Sequence, residues 1–441
     1  MLITRNLLKT MGTRVSLIVM LLGIGTFCLA VLGLLTAFPA FINSVHQYDF
    51  TCYYMGAYVL NHHEPLYREL YPAIEPRIDG LPYSPYIYPP FFAALLRPLA
   101  TFAVRPAQTL WLWINLGLLI VGWRWLLRLI KLSRGQAYLL LGFIILLPPL
   151  YETLILGQVN LILLGLVLGC LLLLRRPSAS AWADILAGSL IGIAGVIKIY
   201  PLAFGLIFII HRRYRAIIGV IAGIVAAIGL GIWLGGGWSN TIIFFSEIMP
   251  NLRHLSNIID QSIWPFSKRL FQEHNYIYQY HNQVVYLTLK PLINAPLLAP
   301  IVAVMLGSVI AIPSIKYLLA RWRGDSNADL LCFDLGLIIS LTLLFFPVVH
   351  NHYLFLLVIP ICWLINHARS LVAEQRQWLW LGLLMSLLPL VIERFWRFLL
   401  DQAPTPIFLS FGFISNIILW ALLIHYRPIK PLSAQTAHQE A

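Results

Sequence analysis

Residues 15–42 contain no Asp, Glu, Lys or Arg, and uncharged runs of this kind recur to the end of the chain. About twenty consecutive apolar residues cross the hydrocarbon core of a bilayer as a helix. There the helix is the form in which a single segment satisfies its own backbone polar groups. The runs fall near 15–42, 107–131, 136–151, 158–174, 184–197, 199–210, 215–234, 296–318, 329–347, 353–368, 377–394 and 405–425. Only 11% of residues are charged, against about 25% in a soluble domain. The chain reads as an all-α polytopic membrane protein of about twelve transmembrane helices, one integral membrane domain over residues 1–441. A nucleic-acid binder, a secreted disulfide scaffold and a disordered chain are excluded. Of the five cysteines, only Cys52 lies outside an apolar run, so no disulfide framework forms within the chain.

Sidedness follows from charge. Arg5, Lys9 and Arg14 precede the first run, which is too long for the 7–15-residue apolar core of a signal peptide. It reads as an uncleaved span with a cytoplasmic N-terminus. The stretch 87–104 starts with Tyr88-Pro89-Pro90 and contains Arg97-Pro98, which suits an interfacial or re-entrant helix better than a span. With that choice both termini are cytoplasmic, and the whole excess charge of +13 falls on the cytoplasmic side, as the positive-inside rule requires. No anionic partner is needed to explain it. Two loops then face outward: a first outer loop over 43–106 that ends in the interfacial helix, and a second over 235–295. The reading implies a plasma (inner) membrane protein whose chemistry lies on the outer face.

Chemistry-bearing residues gather at those outer helix ends. Asp49, in Tyr48-Asp49-Phe50-Thr51-Cys52-Tyr53-Tyr54, stands just beyond the first span, at the depth where a lipid-linked substrate would present its head; the plain alternative is a solvated loop acid. Glu64, Glu69, Glu75 and Asp79 are weaker candidates. Pro82 to Pro90 forms a stiff Tyr/Pro platform that includes Tyr88, or simply a turn before a helix. Gln158 and Asn160 in Gly157-Gln158-Val159-Asn160 can hydrogen-bond sugar or phosphate, or merely cap a helix. Lys198, in Lys198-Ile199-Tyr200-Pro201, stands alone in an uncharged stretch, where a lysine is costly and usually has a partner; snorkelling is the alternative. Asp260-Gln261-Ser262 has Arg253, Lys268 and Arg269 nearby. His350 and His352, in Phe346-Pro347-Val348-Val349-His350-Asn351-His352-Tyr353, can transfer protons or bind phosphate. A metal site is not expected, since zinc needs further ligands.

In this order the segments resemble the polyprenol-phosphate-dependent mannosyltransferase-like integral membrane glycosyltransferases (the GT87 group, with the GT-C fold). The resemblance rests on Tyr48-Asp49-Phe50 with Tyr53 or Tyr54, Tyr88-Pro89-Pro90, Gly157-Gln158-Val159-Asn160, Lys198-Ile199-Tyr200-Pro201, Asn257 through Gln261-Ser262, and Phe346-Pro347 through His352. The last motif departs from the family's usual Ser-Pro-x-x-Trp-x-His-His: Phe346, His350 and Tyr353 stand for its Ser, Trp and second His, and His352 matches a family histidine.

The resemblance implies transfer of a hexose, mannose being the family's characteristic one, from a polyprenyl-phosphate-sugar donor to a glycolipid or glycan acceptor hydroxyl, with inversion. It places Asp49 as base, His350 or His352 and Lys198 against the leaving phosphate, and Tyr54, Tyr88, Gln158, Asn160, Tyr200, Gln261 and Ser262 as substrate contacts. No cofactor is implied, and a divalent metal is not required. The partners are the lipid-linked donor, the acceptor and membrane lipid, with no nucleic acid. The rival reading is a transporter or flippase of lipid-linked or polar substrates. That class predicts internal repeats and ionisable residues near mid-membrane, and the sequence has no repeat.

Overall fold

The computed structural model describes residues 20–36, 48–67, 77–78, 81–82, 85–130, 132–175, 180–252, 259–280, 283–322, 328–399 and 405–428. Expectations attached to Glu69, Glu75, Asp79, Arg253 and Asn257 lie outside the described residues. The protein is mostly helical. Helix α1 is Met20–Thr36 and α2 is Tyr48–Asn61. A two-residue ladder, β1 (Arg77–Ile78) with β2 (Leu81–Pro82), precedes α3 (Pro90–Leu96). At seven residues, α3 is about 10 Å long, too short to cross a bilayer.

Helix α4 (Val104–Leu129) leads to α5 (Arg134–Leu146), which Ser133 opens with a capping box closed by Gln136. Leu147 precedes Pro148-Pro149 and is extended, as a residue before proline is biased to be. The chain therefore turns 55° into α6 (Pro148–Ile155). Helix α7 (Asn160–Leu174) runs through the core. Ser180 caps α8 (Ala181–Ile197), which is followed by a 3-10 turn over Tyr200–Gly205, α9 (Leu206–Ile210) and α10 (Tyr214–Leu234).

Helices α8 and α10 pack closely because small residues face each other. A Cβ on Gly188 would strike the Ala216 carbonyl, and one on Gly219 the Ile185 carbonyl. Backbones approach this way in membranes, where van der Waals packing holds helices together. At the other end of α10, a Cβ on Gly231 would meet Phe91 N at 2.8 Å, so α3 lies directly on that helix.

Helix α11 (Gly237–Ile243) passes through a π turn at Phe244–Ile248 into the short α12 (Met249–Asn251). Helix α13 (Ile263–Phe271) and the antiparallel hairpin β3 (His274–Tyr280) and β4 (Gln283–Leu289) complete the second loop. Helices α14 (Leu298–Trp322), α15 (Ala328–Phe345), α16 (Val358–His367), α17 (Ala373–Leu399) and α18 (Phe411–His425) close the fold.

Large apolar side chains cover the outer faces, among them Ile218, Ile221 and Val225 on α10 and Val304, Met305 and Val309 on α14. Such faces suit lipid, not water. Among the described residues five helices are long and apolar enough to span a membrane, six if bent α5–α6 counts as one span, and five more apolar helices are shorter, so the expected count of about twelve is not reached by full-length helices alone. The difference is one of length. Helix α7 has fifteen residues, about 22 Å at the helical rise, less than the ~30 Å hydrocarbon core. Helix α7 is enclosed by neighbours, where interrupted spans are tolerated.

Candidate active site at the meeting of helix ends

Helix α2 starts against the turn between α6 and α7. The Phe50 amide donates to the Leu156 carbonyl (3.1 Å), and the Trp111 indole of α4 donates to the Gly157 carbonyl (2.7 Å). Gly157 has φ +68°, a left-handed conformation that glycine adopts without strain. The reversal there aims the next side chain, Gln158, at the first turn of α2.

Gln158 is buried, and its Oε1 accepts from the Tyr53 hydroxyl (3.1 Å) and from Lys198 Nζ (2.9 Å). Its side chain also lies beside Asp49 and favours the ionised carboxylate. The acid and the ammonium thus share Gln158 as a neighbour. Asp49 is half-buried, and burial lifts its pKa above the ordinary carboxylate value against the Gln158 side chain and the charges of Lys198 and His350.

Lys198 ends α8 in an extended conformation, with only 7% of its surface exposed. Its Nζ lies 4.0 Å from the centre of the Tyr353 ring, a cation–π contact. Burial brings its pKa down to about 7, opposed by the Asp49 charge. An ammonium in that state takes up an anionic ligand readily.

The remaining wall comes from the turn joining α15 to α16 and from residues 259–262. Asp260 Oδ1 lies 2.8 Å from His350 Nδ1; the carboxylate is wholly buried, and the imidazole is one-third exposed. Asn351 donates to Glu152 Oε1 (3.2 Å) and Asn160 Nδ2 to the His352 carbonyl (3.1 Å), pinning the turn to α6 and α7. His352 is buried, and its Nε2 has no hydrogen-bond partner among the described residues. The same holds for Asn160 Oδ1, the Tyr200 hydroxyl and Ser262 Oγ. Tyr200 stacks on Tyr353 with centroids 5.0 Å apart.

Gln158 and Lys198 are therefore joined directly, with Asp49 beside them. Tyr88 adjoins them through its hydroxyl, 3.3 Å from that of Tyr53, and His350 lies within Coulombic range of Asp49. Tyr54 and Gln261 are engaged elsewhere. Tyr54 donates to the Phe102 carbonyl (2.8 Å). The Gln261 amide donates to the Ile259 and Leu409 carbonyls and accepts from Phe413 N, so it holds backbone.

Trp111 carries a part of the site that the sequence did not single out, and Tyr353 and Asp260 were named within motifs without a role. Between Tyr53 and Tyr54 the structure brings Tyr53 to the site: it follows Asp49 by four residues and shares its helix face, which reading 48–61 as helix rather than loop would have shown.

From Lys198, Tyr88 and Tyr353 an apolar cavity of about 490 Å³ runs between α3, α8, α10 and the π turn, lined by Leu202, Ile224, Ile228, Phe244 and Phe245 among others. A polar cluster at the head of an apolar groove suits an amphiphile with an anionic head. Among the described residues no three His, Cys, Asp or Glu side chains are grouped to hold a metal. No curated protein matches the chain. The profile of glycosyltransferase family 87 matches residues 86–347, more than half of the chain. The chain belongs to glycosyltransferase family 87 and is a membrane glycosyltransferase.

Proposed function

We propose that the enzyme transfers a hexose, mannose in our reading, from a polyprenyl-phosphate donor to an acceptor hydroxyl on a glycolipid or glycan. The site opens on the outer face of the plasma membrane, with both termini in the cytoplasm. The observation that carries the reading is Lys198, hydrogen-bonded to Gln158 and close enough to Asp49 to lower its pKa, at the head of the apolar groove. The prenyl chain occupies the groove, the phosphate faces Lys198, and the sugar lies toward Asp49.

The reaction is one in-line displacement with inversion. Asp49 takes the proton from the acceptor hydroxyl as its oxygen attacks the anomeric carbon. The bond from that carbon to the phosphate oxygen breaks, and its electron pair leaves on the phosphate. A carboxylate with a raised pKa is the stronger base, and general-base help is worth about 10²–10⁴-fold. Lys198 and the exposed edge of His350 offset the charge that grows on the leaving group, the kind of preorganised stabilisation that carries much of catalysis. The Lys198 ammonium supplies that charge without a divalent metal, so chelator leaves the rate unchanged.

The test uses purified full-length protein in detergent with radiolabelled polyprenyl-phosphate-mannose and a glycolipid acceptor. Label moves to the acceptor with the wild type and not with Asp49→Asn, whose fold is checked by thermal melting. A fully active Asp49→Asn enzyme, or use of a sugar nucleotide instead of the lipid donor, overturns the reading.

A further inference from the structure

We propose that Tyr353 is a positioning residue for the donor phosphate: the face of its ring holds the Lys198 ammonium at the head of the groove. This rests on the transferase reading above and adds a residue to it.

A buried ammonium is expensive unless something offsets its charge, and Lys198 is such a group. Among the described residues it forms no ion pair. Its Nζ meets Gln158 Oε1 at 2.9 Å and the Tyr353 ring at 4.0 Å from the centre. Gln158 is neutral, and its oxygen also serves Tyr53. An ammonium has three N–H donors, and the amide takes one. The electron-rich face of an aromatic ring attracts a cation, more strongly where both are desolvated. Tyr353 offers that face to a charge that no carboxylate pairs.

The ring is itself held. Tyr200 stacks on it with centroids 5.0 Å apart, and His350 and His352 meet it in edge contacts at 5.6 and 4.9 Å. The Tyr353 amide donates to the His350 carbonyl (3.0 Å) in the 3-10 turn Asn351–Leu357. Lys198 leaves α8 extended and Tyr200 starts the next 3-10 turn, so one short stretch supplies both the ammonium and the ring that steadies its support. Lys198, Tyr200 and Tyr353 all line the groove. A lysine side chain is a flexible four-carbon stem. Amide and ring together fix where its charge stands before the lipid arrives.

The experiment uses the purified full-length enzyme, with kcat/KM measured for polyprenyl-phosphate-mannose. Tyr353→Leu lowers kcat/KM by about tenfold, the size of a desolvated cation–π contact, and Tyr353→Phe recovers most of the loss. Phenylalanines carrying one, two and three ring fluorines are then incorporated at position 353. Fluorine withdraws electron density from the ring face while nearly preserving its size, so kcat/KM falls with each one added. A flat series overturns the proposal, because a ring that only fills space is indifferent to fluorine. So does a Tyr353→Phe enzyme as slow as Tyr353→Leu, which assigns the work to the hydroxyl.

A second measurement needs no turnover. In ¹³C-lysine-labelled protein the ε-methylene signal of Lys198, assigned by its loss in Lys198→Arg, is shifted upfield by the ring in the wild type. Tyr353→Leu returns it toward the other lysines. An unshifted wild-type signal overturns the proposal whatever the donor proves to be. A wild type with the upfield signal that does not consume the lipid donor overturns the transferase reading instead.

Discussion

One amide stands at the centre of the chemistry. Gln158 receives Tyr53 and Lys198 on its oxygen and lies beside Asp49, whose carboxylate Lys198 also stabilises by its charge. That arrangement sets a pH profile. Asp49 must be unprotonated to accept a proton, and burial raises its pKa, so activity falls on acidification at a pH above the usual carboxylate range. Lys198 must be protonated, and its pKa is about 7, so the free enzyme loses the ammonium as pH rises through that value. The profile of kcat/KM, which reports the free enzyme, falls above about pH 7. The profile of kcat holds to higher pH, because a bound phosphate favours the ammonium. Arginine stays charged throughout, so Lys198→Arg removes the alkaline fall in kcat/KM and leaves the acid limb in place. An alkaline limb unchanged in Lys198→Arg assigns it to another group. The sequence marked Lys198 for its cost and Gln158 as an amide at a helix start, and the family resemblance placed both in one site. Their direct bond was not legible from the residues themselves, because forty residues separate them and only the left-handed turn at Gly157 and the end of α8 bring them together.

Elements were easier to read where composition was uniform. The apolar runs at 107–131, 215–234 and 296–318 became α4, α10 and α14 with ends shifted by only a few residues. The bend at Pro148-Pro149 was written in the prolines, although the run 136–151 hid it. Helix α2 was missed because its polar and aromatic residues follow no apolar stripe: its faces are nearly alike, since it is buried around most of its circumference. Two glycines test how far these elements tolerate change. Gly219→Val drives a side chain into the Ile185 carbonyl, and overpacking of that kind costs about 1–3 kcal/mol. The variant melts lower in detergent while the surviving folded fraction keeps its activity, since the contact lies at the end of α8 remote from Lys198. Gly157→Ala puts a Cβ at φ +68°, a strain of about 1–2 kcal/mol. Its activity falls by more than its melting temperature suggests, because the strain is relieved by moving Gln158. Equal losses in both variants count against that division of labour.

The whole molecule separates two kinds of charge along the helices. At one end of α8 the Arg213–Asp184 pair closes at 2.7 Å, and nearby Asp334 gathers His211, Arg321 and Tyr317. At the other end stand Lys198, Gln158 and Asp49. The first cluster sits where the sequence puts its basic loops, and each acid there already has a basic partner, so it serves packing. The second has an apolar groove beside it and buried polar atoms without partners. Charge totals give an expected sidedness but say nothing of the groove, which arises where Gly231 lets α3 lie against α10. If that groove holds the prenyl chain, filling it discriminates donors by tail and not by head. Ile228 lines it, and Ile228→Trp occupies volume without touching Asp49, Gln158 or Lys198. With a long-chain polyprenyl-phosphate-mannose, KM rises about tenfold, equivalent to roughly 1.4 kcal/mol, while kcat changes little, the pattern of lost uniform binding. With a donor carrying only two prenyl units the KM of variant and wild type stays close. A variant that loses kcat equally on both donors has disturbed the reacting end, and a variant indifferent to tail length places the lipid elsewhere.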